Sequence, residues 1–189
     1  LVRDERLHDE HGLLVADLLG QIVVDDREIA VYGIRHDRAD GQRLSGGDLL
    51  RLDQRFRIDV LGVGFDNFTM EEAVDEGVRL MNEPGAHYVV TPNPEIVEIC
   101  REDAEARGAV NSADLVIPDG IGVIYGAKIL GTPLKQKLPG IEFAERLMEK
   151  MAQEKKTLYL LGAKPGIAEQ AAEKLRETYP GLTIAGTHD

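Results

Sequence analysis

Two turns in the chain gather residue types suited to holding a polar ligand. Thr91-Pro92-Asn93-Pro94-Glu95 follows the apolar run His87-Tyr88-Val89-Val90, and Pro118-Asp119-Gly120-Ile121-Gly122 follows Leu115-Val116-Ile117. Each run reads as a short buried strand, and each turn is followed by a helical pattern. A hydroxyl (Thr91), an amide (Asn93), a carboxylate (Asp119) and the bare backbone of Gly120 and Gly122 therefore stand at strand-to-helix turns. In an open parallel sheet such turns lie together at the carboxyl edge, where ligands bind. The pair reads as the floor of an active site. Each residue also has an ordinary role open to it. Asn93 suits an N-cap, with Pro94 at the first helical position and Glu95 favourable to the helix dipole. Asp119 suits a cap for a helix starting at Gly120. Capping and function are compatible, because a cap at that edge also faces the ligand crevice.

Two glycine patterns extend this chemistry. Gly120-x-Gly122, with Gly126 beyond, approximates a dinucleotide-binding turn, which makes an NAD(P)-dependent oxidoreductase the competing enzyme reading. The acidic residue expected at the end of the next strand is missing, because Thr157–Leu161 runs into Gly162, Ala163 and Lys164. Gly162-Ala163-Lys164-Pro165-Gly166 lacks the Gly-Lys-Ser/Thr ending of a P-loop. Its amides at a helix start suit a phosphate, and Lys164 could help neutralise a diphosphate. An ordinary strand-to-helix connection is the other reading of that loop. His188-Asp189 has the types of an acid–base pair but no Ser or Cys nucleophile on an elbow beside it, so His188 stands as a substrate-side candidate.

Positioning these turns falls to an alternation of strands and helices that becomes regular from Arg57. The pattern predicts strands over 58–63, 87–91, 114–117, 157–161 and 182–185. Helices are expected from Thr69-Met70-Glu71-Glu72, a capping box, and over 94–107, 120–130, 141–153 and 167–179. Such alternation implies a three-layer, Rossmann-like α/β fold with a mostly parallel sheet and helices on both faces. Residues 1–56 differ. They are rich in Asp and Arg, with one strand pair at Gln21–Val24 and Glu28–Ile34 and a short helix at Leu13–Leu19, and read as a small added module or a disordered leader of unknown role. The domain that carries the site is 57–189. Because the chain ends just after a strand, where the next turn would line the same edge, C-terminal truncation is expected.

The bulk composition narrows the partners. The 189 residues carry a net charge of −12, with 43% hydrophobic residues and 30% charged residues, a globular composition that argues against a nucleic-acid partner. Cys100, the single cysteine, sits in an apolar helical pattern and reads as a buried thiol. His8, His11 and His36 lack the spacing of a zinc site. No run approaches the ~18 apolar residues of a membrane span, and no signal peptide opens the chain. An exposed last strand would make a homo-oligomer open to this chain.

Taken together, Thr91-Pro92-Asn93-Pro94-Glu95-Ile96-Val97, Ala113-Asp114-Leu115-Val116-Ile117-Pro118-Asp119-Gly120-Ile121-Gly122-Val123, Leu160-Leu161-Gly162-Ala163-Lys164-Pro165-Gly166, Tyr179-Pro180-Gly181 and Gly186-Thr187-His188 resemble the WecG/TagA/CpsF glycosyltransferases (glycosyltransferase family 26). The likeness runs colinearly over residues 57–189, and residues 1–56 have no counterpart in it. It implies an inverting transferase of the N-acetylmannosaminyltransferase (TagA-like) branch. Such an enzyme moves a sugar from a UDP-sugar donor to a polyprenyl-diphosphate-linked saccharide, without a metal or other cofactor, in teichoic acid, exopolysaccharide or other cell-wall assembly. It also implies a cytoplasmic enzyme held peripherally at the inner face of the bacterial membrane through a C-terminal segment beyond this chain. The catalytic Asp of the family falls on Asp119, and its Thr and Asn on Thr91 and Asn93. The glycine loop at Gly162 resembles the nucleotide-sugar side. Where the family has Arg before V-x-G-x-D, this chain reads Lys137-Leu138-Pro139-Gly140-Ile141-Glu142, which keeps the charge but loses a bidentate fork. A non-catalytic module that binds a nucleotide sugar is the third reading.

Overall fold

The computed structural model describes residues 21–24, 28–30, 57–162 and 164–188. The Leu13–Leu19 helix, the three N-terminal histidines, Ala163 and Asp189 lie outside the described residues. In chain order the elements are β1 (Gln21–Val24), β2 (Glu28–Ala30), β3 (Arg57–Val60), β4 (Val63–Asp66), α1 (Met70–Asn82), β5 (His87–Val90), α2 (Pro94–Glu102) and α3 (Ala104–Asn111). There follow β6 (Leu115–Val116), α4 (Ile121–Ile129), α5 (Gly140–Gln153), β7 (Thr157–Leu161), α6 (Ile167–Thr178) and β8 (Thr183–His188). The fold is mixed α/β.

Six strands form one sheet in the order β6-β5-β1-β2-β7-β8. The β5–β6, β2–β7 and β7–β8 pairs are parallel, and β1 is antiparallel to both β2 and β5. These pairings make β1 the strand that runs against the other five. The carboxyl ends of β5, β6, β7 and β8 therefore share one edge. The expected strand pair of the N-terminal segment is present as β1 and β2, and it lies within the sheet between β5 and β7.

Strand alternation sorts the apolar residues onto two faces. Val89, Leu115 and Ile117 pack in one core with Met70 and Val74 of α1, Phe143 and Leu147 of α5 and Ala168 and Ala172 of α6. Val90 and Val116 pack in a second core with Val97 and Cys100 of α2, Val110 of α3, Val123 and Ala127 of α4 and the β3–β4 hairpin. Burial pushes the Cys100 thiol pKa up, which suits an inert core residue.

Three local expectations are corrected. The apolar run 58–63 is two strands, not one. Leu61 and Gly62 both have positive φ (55° and 92°), the geometry of a two-residue hairpin turn, and β3 and β4 pair in a sheet of their own. The helix expected over 94–107 breaks at Asp103, which is extended (φ −110°, ψ 108°) and caps α3 by accepting from the N–H groups of Glu105 and Ala106. The last strand is Thr183–His188, so Gly186, Thr187 and His188 extend β8 and do not form a turn.

Candidate active site

Thr91 and Asn93 stand where β5 gives way to α2. Asn93 is the N-cap: its Oδ1 accepts from the Ile96 N–H at 2.9 Å, with Pro94 in the first turn. Thr91 is only 7% exposed. The second turn folds directly onto the first, with the Asp119 N–H donating to the Pro92 carbonyl at 3.2 Å.

The glycines of the second turn explain this approach. Gly120 caps α4 with φ 91°, and a Cβ there would meet Pro94 Cδ at 3.1 Å. A Cβ on Gly122 would come within 2.7 Å of Pro94 Cγ. The Gly-x-Gly spacing thus lets two helix starts touch, and packing alone accounts for the pattern that suggested a dinucleotide turn. Gly122→Ala is expected to destabilise the fold by ~1–2 kcal/mol. The rigid proline ring imposes an overpacking cost of ~1–3 kcal/mol, and the helix-propensity gain of ~0.5–1 kcal/mol offsets only part of it. Urea unfolding measures the difference, and an unchanged midpoint would refute the packing role.

Asp119 does not cap its own helix. The start of α4 has no side-chain cap, and Asp119 Oδ2 instead accepts from the Gly140 N–H, the first residue of α5, at 3.2 Å. Its half-buried carboxylate thus sits at the positive end of a different helix. The reason lies in the strap 135–140. The Leu138 N–H donates to the Pro118 carbonyl at 2.8 Å and the Leu138 side chain is fully buried, which draws the start of α5 over the turn. Farther back, the Lys135 N–H donates to Asn67 Oδ1 at 2.7 Å and its Nζ pairs with Glu72. Lys135, together with the Thr69 N–H of the capping box, holds the Glu72 carboxyl below the usual range. Lys137 lies on this strap, exposed, one residue before the buried anchor.

Thr91, Asn93, Asp119, Gly120 and Gly122 are therefore brought together, and Gly140 joins them. Residue types gave little sign of Gly140; the one available signal was a Pro-Gly pair ahead of a helical pattern. The remaining candidates gather elsewhere on the same edge. Gly162 ends β7 with φ 101°, and its N–H donates to the carbonyl of His188 at 2.7 Å at the end of β8. Lys164 is exposed in the turn before α6. The strand order puts β1 and β2 between β5 and β7, so the two groups of residues are separated by three strand spacings, roughly 14 Å. Among the described residues no cluster of three His, Cys, Asp or Glu side chains is placed to hold a metal. No described helix is long and apolar enough to cross a membrane.

The profile of the "Glycosyl transferase WecG/TagA/CpsF family" matches residues 58–189 of this chain. The chain belongs to that family. All of the site residues above lie within the matched span. A protein of Bacillus spizizenii is 33% identical over 102 residues, which cover 54% of this chain and 40% of the relative. One from Staphylococcus aureus is 31% identical over 134 residues, covering 70% of this chain and 53% of the relative. Both relatives carry the name N-acetylglucosaminyldiphosphoundecaprenol N-acetyl-beta-D-mannosaminyltransferase. The chain thus spans about half the length of the curated relatives it matches.

Proposed function

We propose that this WecG/TagA/CpsF chain supplies the catalytic core of an inverting transferase. In this reading it moves N-acetylmannosamine from a UDP-sugar to a polyprenyl-diphosphate-linked saccharide in the building of a cell-wall polymer such as teichoic acid. The observation that carries the reading is the position of Asp119: a half-buried carboxylate, tied to a helix start, in the turn that folds onto Thr91 and Asn93. The names of the two relatives support the sugar and the lipid-linked acceptor.

The proposed chemistry is a single displacement. The acceptor hydroxyl oxygen attacks the anomeric carbon, its proton passes to the Asp119 carboxylate, and the bond from that carbon to the UDP oxygen breaks with its electron pair leaving on UDP. Asn93 uses Oδ1 as a cap, which leaves its amide N–H groups to orient sugar hydroxyls or the diphosphate. The start of α4, glycine-capped and without side-chain acceptors on its first amides, suits the phosphates beside Asp119. Lys137 on the neighbouring strap adds positive charge, so the leaving group is stabilised by protein groups in place of a metal. Lys164 and the glycine-capped start of α6, farther along the edge, are left for another part of the UDP-sugar. The two apolar cores, one on each side of β5 and β6, support a three-layer, Rossmann-like arrangement. A peripheral position at the inner membrane face fits the exposed Ile121 and Ile141, which follow Gly120 and Gly140 directly at the edge of the site (54% and 71% exposed).

The test is a calorimetric titration of the chain with UDP, with NAD⁺ as comparison and no added metal. Saturable UDP binding without NAD⁺ binding is the expected result. NAD⁺ binding in the absence of UDP binding would overturn the reading in favour of an oxidoreductase.

A further inference from the structure

Gly140 is held in place from two sides. Its N–H donates to Asp119 Oδ2, and two residues earlier the Leu138 N–H is fixed to the Pro118 carbonyl. The clamp leaves no room for a side chain at 140. A Cβ there would stand 2.9 Å from Thr91 Oγ1 and 3.2 Å from both Thr91 Cβ and Cγ2. Thr91, 7% exposed at the end of β5, has little freedom to retreat. Backbone conformation is not the reason for glycine, since Gly140 is absent from the positive-φ residues. The requirement is space: any other L-residue would lift the first amide of α5 off Thr91, and with it the group that holds Asp119.

We propose that Gly140 and Thr91 form a positioning pair for Asp119. The bare Cα of Gly140 lets the helix start settle onto Thr91, and the Gly140 amide then fixes one carboxylate oxygen while the other meets the acceptor hydroxyl. This rests on the reading of Asp119 as the base. Thr91 acts here as the seat of the clamp, in addition to any contact with ligand.

The experiment is a set of double-mutant cycles on transfer kinetics in the full-length protein. Gly140→Ala is expected to lower kcat ~10- to 100-fold, the scale of a misplacement of up to about an ångström, with the donor KM little changed. Thr91→Ser removes Cγ2, one of the two carbons that a Cβ at 140 would meet at 3.2 Å, so the penalty of Gly140→Ala should shrink about threefold in that background. In the Asp119→Asn background Gly140→Ala should cost almost nothing further, because the group it displaces no longer acts. Overpacking against Thr91 should lower the melting temperature of Gly140→Ala somewhat, so kcat is compared at a temperature where both chains remain fully folded. An equal penalty in the wild-type and Thr91→Ser backgrounds, a Gly140→Ala enzyme with normal kcat, or a kcat loss that merely tracks a fall in melting temperature would each overturn the pair. Normal turnover by Asp119→Asn would remove the base assignment itself. A crippled Asp119→Asn beside a fully active Gly140→Ala would remove the positioning pair alone.

Discussion

Asp119→Asn is expected to lower sugar transfer by ~10²–10⁴-fold, the usual contribution of a positioned general base, with UDP affinity largely retained. The substitution isolates the proton-accepting role. An asparagine oxygen can still accept from the Gly140 N–H, so the tie between the second turn and α5 survives. What disappears is the negative charge, which at a helix start is worth ~0.3–1 kcal/mol of stability, so the fold should hardly notice. Asp119→Ala should match it in rate but also loosen the start of α5, because nothing then meets that amide. Steady-state transfer and thermal melts on the two variants separate the roles. Near-normal turnover by Asp119→Asn would leave Asp119 as a structural brace, and the base would have to be sought elsewhere on the edge.

How far these roles could be read from the sequence depended on how local their causes were. Thr69 with Glu72 and Asn93 with Pro94 act within one helical turn, and the structure shows both caps. The alternation of elements was legible for the same reason, since each follows from its own short pattern. The hairpin at Leu61-Gly62 was not legible. Leucine is a poor residue for positive φ, and Val60 and Val63 are both buried, so the run looked like one continuous strand. Asp103 was hidden in the same way, as one more charged residue in an amphipathic stretch. Asp119 was legible as a polar residue at a turn. Its partner was not, because Gly140 reaches it through the buried anchor Leu138 from 21 residues away. Once the hairpin register is known, Arg57 opposite Asp66 becomes visible as a cross-strand pair of opposite charge.

That pair should be the most costly single loss in the fold. Asp66 is 2% exposed; its Oδ1 meets Arg57 Nε at 3.2 Å and its Oδ2 accepts from the Val116 N–H at 2.8 Å. Arg57 in turn donates to the carbonyl of Asn111, the last residue of α3, at 2.9 Å and to that of Ala113, just beyond it, at 2.7 Å. One buried carboxylate therefore joins the β3–β4 hairpin to the outermost strand of the large sheet. Asp66→Ala leaves a guanidinium without its counter-charge and a buried N–H without an acceptor, a combination that costs ~3–5 kcal/mol. Against a typical total of ~5–15 kcal/mol this is a large share. Replacing both partners by apolar residues, as in Arg57→Met with Asp66→Leu, removes the unpaired charge but still leaves the Val116 N–H without its acceptor, so it should recover only part of that loss. β6 leads through Ile117 into the Pro118-Asp119 turn, so loosening it should also lower transfer by the fraction of chain left folded. Urea unfolding gives the stability change. A loss below ~1 kcal/mol for Asp66→Ala would show that water replaces the carboxylate and that the hairpin is held by its apolar face, through Val63 and Phe65, instead.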